Sequence, residues 1–219
     1  MCGRYTIHIA KQKIVEAIDL EIPEAYEPDY NIGPGRDALA LSRKKDDGLS
    51  AKMMRWGLRT PQNFHINARI ETADTKPRFR DAWSTQRCLI PANGFYEWQS
   101  DGIRKQPYYI YSAENELIFF AGIWFTSLKT DQSDCFIILT TQANQSIDDV
   151  HLRMPVCLPQ SFHSDWLAHI LPKSEVSRIA SNTVFEKHSV SSRVNSVRNN
   201  DHKLVLERTP QNDDQLQLF

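Results

Sequence analysis

Short apolar runs separated by polar turns occupy the middle of the chain, and this pattern predicts β-strands. Four runs follow one another: RCLIPANGFYEWQ, KQPYYIYSA, ELIFFAGIWFT and CFIILTT. Turn-forming residues lie at Asn93-Gly94, 100–102, 114–116 and 129–133. Turns at such short spacing are typical of an antiparallel meander, in which each strand pairs with the next.

A second strand-forming stretch lies nearer the start of the chain. DALALSRKKDDGLSAKMMRWGL predicts two strands around a charged turn at 44–48. The preceding EIPEAYEPDYNIGPGRD is rich in Pro and Gly, and it predicts a loop.

Helical periodicity flanks the strands on both sides. A short helix is expected near 78–83, and HSDWLAHILPKSEVSRIASN predicts two more, the first capped by Ser164 or Asp165. IAKQKIVEAIDL predicts another, because one helical face would carry Ile14, Val15, Ala17 and Ile18.

These elements predict an α+β fold in which antiparallel β-sheets form a barrel-like or sandwich core, with short helices at the periphery. No internal repeat and no linker divides the sequence. We expect one domain over residues 1–208, followed by a flexible tail at 209–219.

Composition narrows the range of functions. The formal net charge of the 219 residues is −1, with 24% charged residues, so any nucleic-acid surface must be a local patch. No apolar run approaches the length that crosses a bilayer. The start lacks the basic and apolar segments of a signal peptide. We therefore expect a cytoplasmic, monomeric protein without a membrane partner.

The four cysteines predict neither a zinc site nor disulfides. They are widely spaced, and in a reducing compartment thiols stay reduced. Cys88, Cys135 and Cys157 have apolar neighbours and are expected to be buried. Cys2 differs because it follows Met1. Removal of Met1 would leave an α-amine and a thiol on adjacent carbons, although Cys2 could equally be a small apolar residue of a first strand.

Several polar residues occupy positions where apolar ones would serve packing. INARIET carries Asn67, Arg69 and Glu71, and DVHLRMP carries His151 and Arg153. PANGFYEW and ILTTQAN add a further group: Asn93, Glu97, Thr140 and Thr141. Each of them alone has a structural explanation.

Together with the chain start, these segments resemble the motifs of the SRAP family, the SOS-response-associated peptidases, which are abasic-site-crosslinking proteins. The blocks, in order, are MCGRYT, YNIGPG, MRWGL, NARIET, RCLIPANGFYEW, TTQAN, HLRMPV and RVNSVRNND. The resemblance runs from Cys2 to about residue 208. One departure is the short stretch between WGL and NAR at 59–66, a loop from which some relatives contact DNA.

The resemblance implies covalent attachment to abasic sites in single-stranded DNA, without a cofactor or metal. The Cys2 amine would form a Schiff base with the sugar aldehyde, and the thiol would then close a thiazolidine ring. Ring closure within one residue benefits from a high effective molarity. The reaction would be single-turnover, with lyase-type Schiff-base chemistry, and an autopeptidase activity would be an accompanying one.

The resemblance also implies roles for individual residues. Glu97 would act as acid and base, and His151 would protonate the departing hydroxyl. Asn67 would bind the opened sugar or the amine, with Thr140 assisting. Seven residues would contact DNA, through phosphates or by shaping and stacking along the strand: Arg4, Pro34, Trp56, Arg69, Trp98, Thr140 and Arg153.

The chain end carries a second signal. QLQLF resembles the peptides by which bacterial repair proteins dock on the sliding clamp, with Gln215, Leu216, Leu218 and Phe219 as the contact residues. Such docking would place the protein at replication forks in the nucleoid.

Three other functions remain open from the sequence. One is an N-terminal-nucleophile amidohydrolase, since glutamine amidotransferases of that class also begin Met-Cys-Gly. Another is a peptidase that acts on its own Met1. The third is a non-covalent single-stranded DNA-binding module.

Overall fold

The structure is a computed structural model that describes residues 2–44, 48–100, 102–103, 105–114, 116–127 and 133–208. Its strands are β1 (Tyr5–Ile7), β2 (Asp29–Ile32), β3 (Asp37–Arg43), β4 (Leu49–Trp56), β5 (Leu58–Arg59), β6 (Phe64–His65), β7 (Asn67–Arg69), β8 (Arg87–Ala92), β9 (Gly94–Ser100), β10 (Lys105–Tyr111), β11 (Ile118–Phe125), β12 (Cys135–Gln142), β13 (Arg153–Pro155) and β14 (Glu186–Ser189). The α-helices are α1 (Lys11–Ile18), α2 (Ile70–Ala73), α3 (Pro77–Thr85), α4 (His163–Leu167) and α5 (Lys173–Ser181). Single 3₁₀ turns occupy Gln160–Phe162, Ser192–Asn195 and His202–Leu204.

Two large sheets make up the core. One has the strand order β14-β10-β9-β1-β2. In the other, β11-β8-β3-β4-β12 closes into a ring because β11 also pairs with β12, while β7 and β13 extend along the remaining edges of β12. The pairings of β12 with β4 and β7 are parallel, and the others around the ring are antiparallel. The α+β prediction with a barrel-like core is therefore confirmed.

A cluster of aromatic rings joins the two sheets. Tyr5 of β1 meets Trp56 of β4 edge to face, with ring centroids 5.2 Å apart, and meets Phe120 of β11 at 5.7 Å. Phe95 of β9 contacts Phe120 at 6.0 Å. All four side chains are fully buried. Each such pair stabilises the fold by about 0.5–1.5 kcal/mol beyond its area burial.

The meander predicts four strand pairings. Two of them, β9 with β10 and β11 with β12, are correct, and two, β8 with β9 and β10 with β11, are wrong. Instead, β8 pairs with β3 and β11, whereas β9 pairs with β1 and β10, so Asn93-Gly94 is a crossing point between sheets and not a hairpin turn. All six residues of β8 are buried, so both faces of this ring strand are covered by other parts of the fold.

Two local predictions also fail. The predicted loop contains β2, which pairs with β1 and whose polar residues are hydrogen-bonded; for example, Asp29 Oδ1 accepts from the Asn31 N–H at 2.7 Å. Neither Ser164 nor Asp165 caps α4, because the preceding 3₁₀ turn leads directly into the helix. The β3–β4 pair and helices α1, α3 and α5 form as predicted.

We expect Asn93→Ala to destabilise the fold by about 1–3 kcal/mol, because the Asn93 side chain hydrogen-bonds to two other segments where the chain crosses between the sheets. Its Oδ1 accepts from the His8 N–H at 2.7 Å, and its Nδ2 donates to the Glu116 carbonyl at 2.6 Å. Urea unfolding would measure the change. Asn63→Ala, on an exposed hairpin, is the matched control and should stay within about 0.5 kcal/mol of wild type. Equal stability of the two variants would contradict the role of Asn93.

Candidate active site

The start of the chain runs alongside β9, which brings Cys2 to Glu97. β1 pairs antiparallel with β9, with Tyr5 opposite Phe95, and the Arg4 carbonyl accepts from the Tyr96 N–H at 2.9 Å. In an antiparallel pair, residues before Tyr5 lie beside residues after Phe95. The register alone therefore carries the chain start toward Glu97.

Cys2 is fully buried at this place. Its Sγ lies 3.9 Å from the Arg4 carbonyl oxygen, and its own carbonyl accepts a hydrogen bond from Asn67 Nδ2 at 2.7 Å. Burial raises the pKa of the Cys2 thiol far above its ordinary value, and the negative charge of Glu97 adds to this. The thiol is therefore protonated at neutral pH, which makes it a poor first nucleophile.

The Glu97 carboxyl is also buried, with 3% of the residue exposed. Removal from water disfavours the ionised form, so burial raises the pKa of Glu97 above its ordinary value of 4.5. A carboxyl whose pKa is moved toward neutrality is suited to accept and return protons.

His151 completes the group from the segment between β12 and β13. Its Nδ1 lies 3.9 Å from Glu97 Oε1. The same Nδ1 lies 3.0 Å from both the N–H and the carbonyl oxygen of Arg153. The His151 side chain is 30% exposed and that of Glu97 is 4% exposed, so His151 is the more solvent-accessible member of the pair. The structure thus brings Cys2, Asn67, Glu97 and His151 together from four separate segments.

The three arginines predicted to bind phosphates differ in their surroundings. Arg69 is exposed. Arg4 is half-buried, and its Nη1 donates to Asn31 Oδ1 at 2.8 Å and to the Val194 carbonyl at 3.0 Å. The guanidinium of Arg153 is hydrogen-bonded to the Glu71 carboxylate and to the Thr140 carbonyl. Of the three, Arg69 is the one whose side chain faces solvent most openly.

Two predicted DNA contacts need correction. Trp56 is fully buried, contacts Tyr5, and donates from Nε1 to the Ile66 carbonyl at 2.9 Å, so it belongs to the core and cannot stack on a base. Thr140 is also fully buried, with its Oγ1 3.5 Å from the Ala68 carbonyl oxygen. Its contribution is to the packing beneath the site and not to a DNA surface.

Pro34 and Trp98 remain candidates for contact with a strand. Both are partly exposed, and Trp98 Nε1 donates to Asn195 Oδ1 at 2.8 Å. Met1 and the proposed clamp-binding residues Gln215, Leu216, Leu218 and Phe219 lie outside the described residues.

Two residues near the site carry interactions that the sequence analysis did not assign. Asn31 accepts from Arg4 and donates from Nδ2 to the carbonyls of Ser196 and Asn199, at 3.0 and 2.8 Å. Glu71 pairs with Arg153. Both residues lie within motif blocks of the sequence, YNIGPG and NARIET, and their place in those blocks is the signal that could have identified them.

The part of the chain that the structure describes has no candidate metal site and no candidate membrane-spanning helix. No group of three or more His, Cys, Asp or Glu residues there is placed to hold a metal ion. None of the described helices combines the length and apolar character needed to cross a membrane.

The fold is shared with solved structures. A protein from Bacteroides thetaiotaomicron aligns over 95% of this chain and 100% of its own, with a TM-score of 0.79 and 22% identity. A phage-related protein from Bordetella bronchiseptica aligns over 87% of this chain and 95% of its own, with a TM-score of 0.70 and 28% identity. The class is therefore an α+β fold found in several bacterial proteins.

The sequence places the chain within a particular family. The model of the SOS response associated peptidase (SRAP) family matches residues 1–197, so the chain belongs to the SRAP family. Abasic site processing protein YedK from Escherichia coli (strain K12) is 33% identical over 94% of this chain and 99% of its own length. Abasic site processing protein YoaM from Bacillus subtilis (strain 168) is 34% identical over 94% and 97%. Abasic site processing protein HMCES from Gallus gallus is 32% identical over 80% and 64%.

We expect Glu97→Gln to change how stability depends on pH. Because burial raises the pKa of Glu97 in the folded chain, the unfolded chain loses this proton first as pH rises, and the native state loses stability up to the folded pKa. Gln does not ionise. The melting temperature of the variant relative to wild type should therefore increase as pH rises from the ordinary pKa of 4.5 toward the raised pKa of the folded chain.

Thermal unfolding across that range would measure the effect, with the same substitution at the exposed Glu27 as the matched control. A difference between Glu97→Gln and wild type that stays constant with pH would contradict the assignment.

Proposed function

We propose that the protein captures abasic sites in single-stranded DNA through a thiazolidine formed by Cys2 after Met1 is removed. The relatives named as abasic site processing proteins support the DNA lesion as substrate. The observation that carries the proposal is the buried carboxyl of Glu97 beside Cys2, with His151 Nδ1 3.9 Å from that carboxyl. A structural cysteine in a first strand would not require ionisable groups buried around it.

The state of the thiol determines the order of the two bond-forming steps. A liberated α-amine has a pKa of roughly 7.7–8.0, so an appreciable fraction is neutral at physiological pH. The thiol is held protonated by burial. The amine nitrogen therefore attacks the open-chain aldehyde carbon first and gives a carbinolamine.

Two further steps complete the adduct. The carbinolamine hydroxyl leaves as water after it takes up a proton, and an imine remains. The Cys2 sulfur then bonds to the imine carbon, and the thiol proton passes to the nitrogen. One water is lost overall, and no oxidant or reductant is needed.

The surrounding residues have separate roles in this sequence. Glu97 accepts the proton released by the attacking amine, as its raised pKa allows, and His151 supplies the proton to the departing hydroxyl. Asn67 fixes the Cys2 carbonyl at 2.7 Å and so orients the nucleophile.

Phosphates flanking the lesion would be bound first by the exposed Arg69, with Pro34 and Trp98 along the strand. Arg4 and Arg153 would contact phosphates only if DNA displaced their present acceptors, Asn31 and Glu71 respectively. Non-covalent binding should weaken with salt, because it depends on phosphate contacts, whereas adducts once formed should persist.

Cys2→Ala should abolish a denaturation-resistant adduct with an abasic oligonucleotide and leave non-covalent binding intact, because it removes the thiol that closes the ring. Glu97→Gln and His151→Ala should lower the rate of adduct formation about 10²-fold or more. Denaturing electrophoresis over time would measure these rates. The assignment of roles fails if either slowed variant reacts as fast as wild type.

The competing functions give different results in the same preparation. Release of ammonia from glutamine would indicate an amidohydrolase. Binding without any covalent product in the wild type would indicate a non-covalent module. Retention of Met1 in Glu97→Gln, with Met1 removed in wild type, would indicate a peptidase that processes its own start.

The sliding clamp is proposed as a partner through the last five residues, QLQLF. The mechanism would be an extended segment that buries Leu216, Leu218 and Phe219 in an apolar pocket of the clamp. Deleting 215–219 should abolish clamp pull-down and leave the adduct rate unchanged. Persistent clamp binding by the shortened chain would contradict this partner.

A further inference from the structure

The Glu71 carboxylate forms a two-pronged ion pair with Arg153. Arg153 Nη1 donates to Glu71 Oε1 at 2.6 Å and Nη2 donates to Oε2 at 2.9 Å. The pKa of Glu71 is lowered, chiefly by these hydrogen bonds, so the carboxylate is ionised at neutral pH. The guanidinium makes a further hydrogen bond, because Nη2 also donates to the Thr140 carbonyl at 2.7 Å.

The backbone of the same arginine holds His151. Its N–H and its carbonyl oxygen both lie 3.0 Å from His151 Nδ1. When Nδ1 carries no proton it accepts from the N–H, and when it is protonated it donates to the carbonyl. Nδ1 therefore has a partner in the Arg153 backbone in either tautomer, and these contacts hold the ring in one orientation.

Arg153 lies where a small displacement of its backbone would also displace the His151 ring. Arg153 is the first residue of β13, a strand of three residues that pairs with the end of β12. The backbone of Arg153 is held opposite Gln142 by this strand pairing, and its guanidinium adds side-chain contacts to α2 through Glu71 and to β12 through Thr140. If the contact with Glu71 were lost, the backbone groups that face His151 would be held only by the strand pairing and by Thr140.

We infer that Glu71 is a positioning residue for the reaction proposed above, and that it holds His151 toward Glu97 through Arg153. The inference rests on the proposed function only for its kinetic consequence, because the linkage itself is present without DNA. An ion pair of this exposure contributes little to global stability, about 0–1 kcal/mol. Its effect is on geometry, and loss of alignment at a reacting group can cost up to about 10²-fold in rate.

A competing role for Glu71 predicts the opposite change in the rate of adduct formation when the residue is substituted. Glu71 occupies the guanidinium that a DNA phosphate would use, so it could act only as a competitor for Arg153. In that case Glu71→Gln would free Arg153, strengthen DNA binding and increase the rate of adduct formation. The positioning role requires a decrease in rate.

The experiment compares wild type with Glu71→Gln, Glu71→Asp and Glu175→Gln. Glu175 is the matched control because it makes the same two-pronged contact with Arg178, at 2.9 and 2.5 Å, on helix α5. Three quantities are measured: the rate of adduct formation with an abasic oligonucleotide, binding of an oligonucleotide carrying the unreactive tetrahydrofuran analogue, and the ¹⁵N shifts of the His151 ring without DNA.

The expected result is a rate about 10-fold or more below wild type for Glu71→Gln, with displaced His151 ring signals. Glu71→Asp, which keeps the charge, should recover most of the rate, and Glu175→Gln should match wild type. If Glu71→Gln does not fold, Arg153→Lys replaces it with the same expectation, because Lys keeps the charge and loses the two-pronged contact.

The inference is overturned if Glu71→Gln reacts at the wild-type rate or faster, or if it slows while the His151 signals stay in place. The proposed function fails separately, if wild type forms no adduct at all. In that case the His151 signals of the free protein alone decide whether Glu71 positions the imidazole.

Discussion

Burial of the Glu97 carboxyl against Cys2 is the constraint on which the other features of the site depend. A carboxylate removed from water is costly unless it is neutralised or paired, and a folded chain retains such a group only where its surroundings are specific. Here burial raises the pKa of both Glu97 and the Cys2 thiol. A protonated thiol and a carboxyl able to exchange its proton both favour the proposed attack by the amine before the thiol.

The fold creates this environment by crossing between sheets. The chain leaves the ring at Asn93 and enters the second sheet as β9, and β1 pairs with β9 so that the chain start comes to lie beside Glu97. Cys2 belongs to the same buried cluster as the aromatic rings that join the two sheets. His151, in the segment just before β13, places Nδ1 3.9 Å from Glu97 Oε1. The site therefore lies at the junction of the two sheets, and both sheets are needed to form it.

Local sequence patterns predicted the longer strands, β3, β4 and β8 to β12, and most helices, because alternation and turn residues are local properties. The strand pairing was not predictable in the same way, since nothing local distinguishes Asn93-Gly94 as a crossing point from a hairpin turn. Burial of Trp56 and Thr140 likewise depends on the closed ring, which is a tertiary feature. The motif blocks located Asn67, Glu97 and His151, but the contact of Glu71 with Arg153 joins residues 82 positions apart and required the structure.

The central claim is that the amine and thiol of Cys2 jointly capture one sugar carbon. Intact-mass spectrometry of the denatured reaction mixture with an abasic single-stranded oligonucleotide tests it most directly. The account predicts a species whose mass is that of the chain without Met1 plus the oligonucleotide, less one water. A chain that keeps Met1 and still forms the adduct, or a chain without Met1 that forms none, would contradict it.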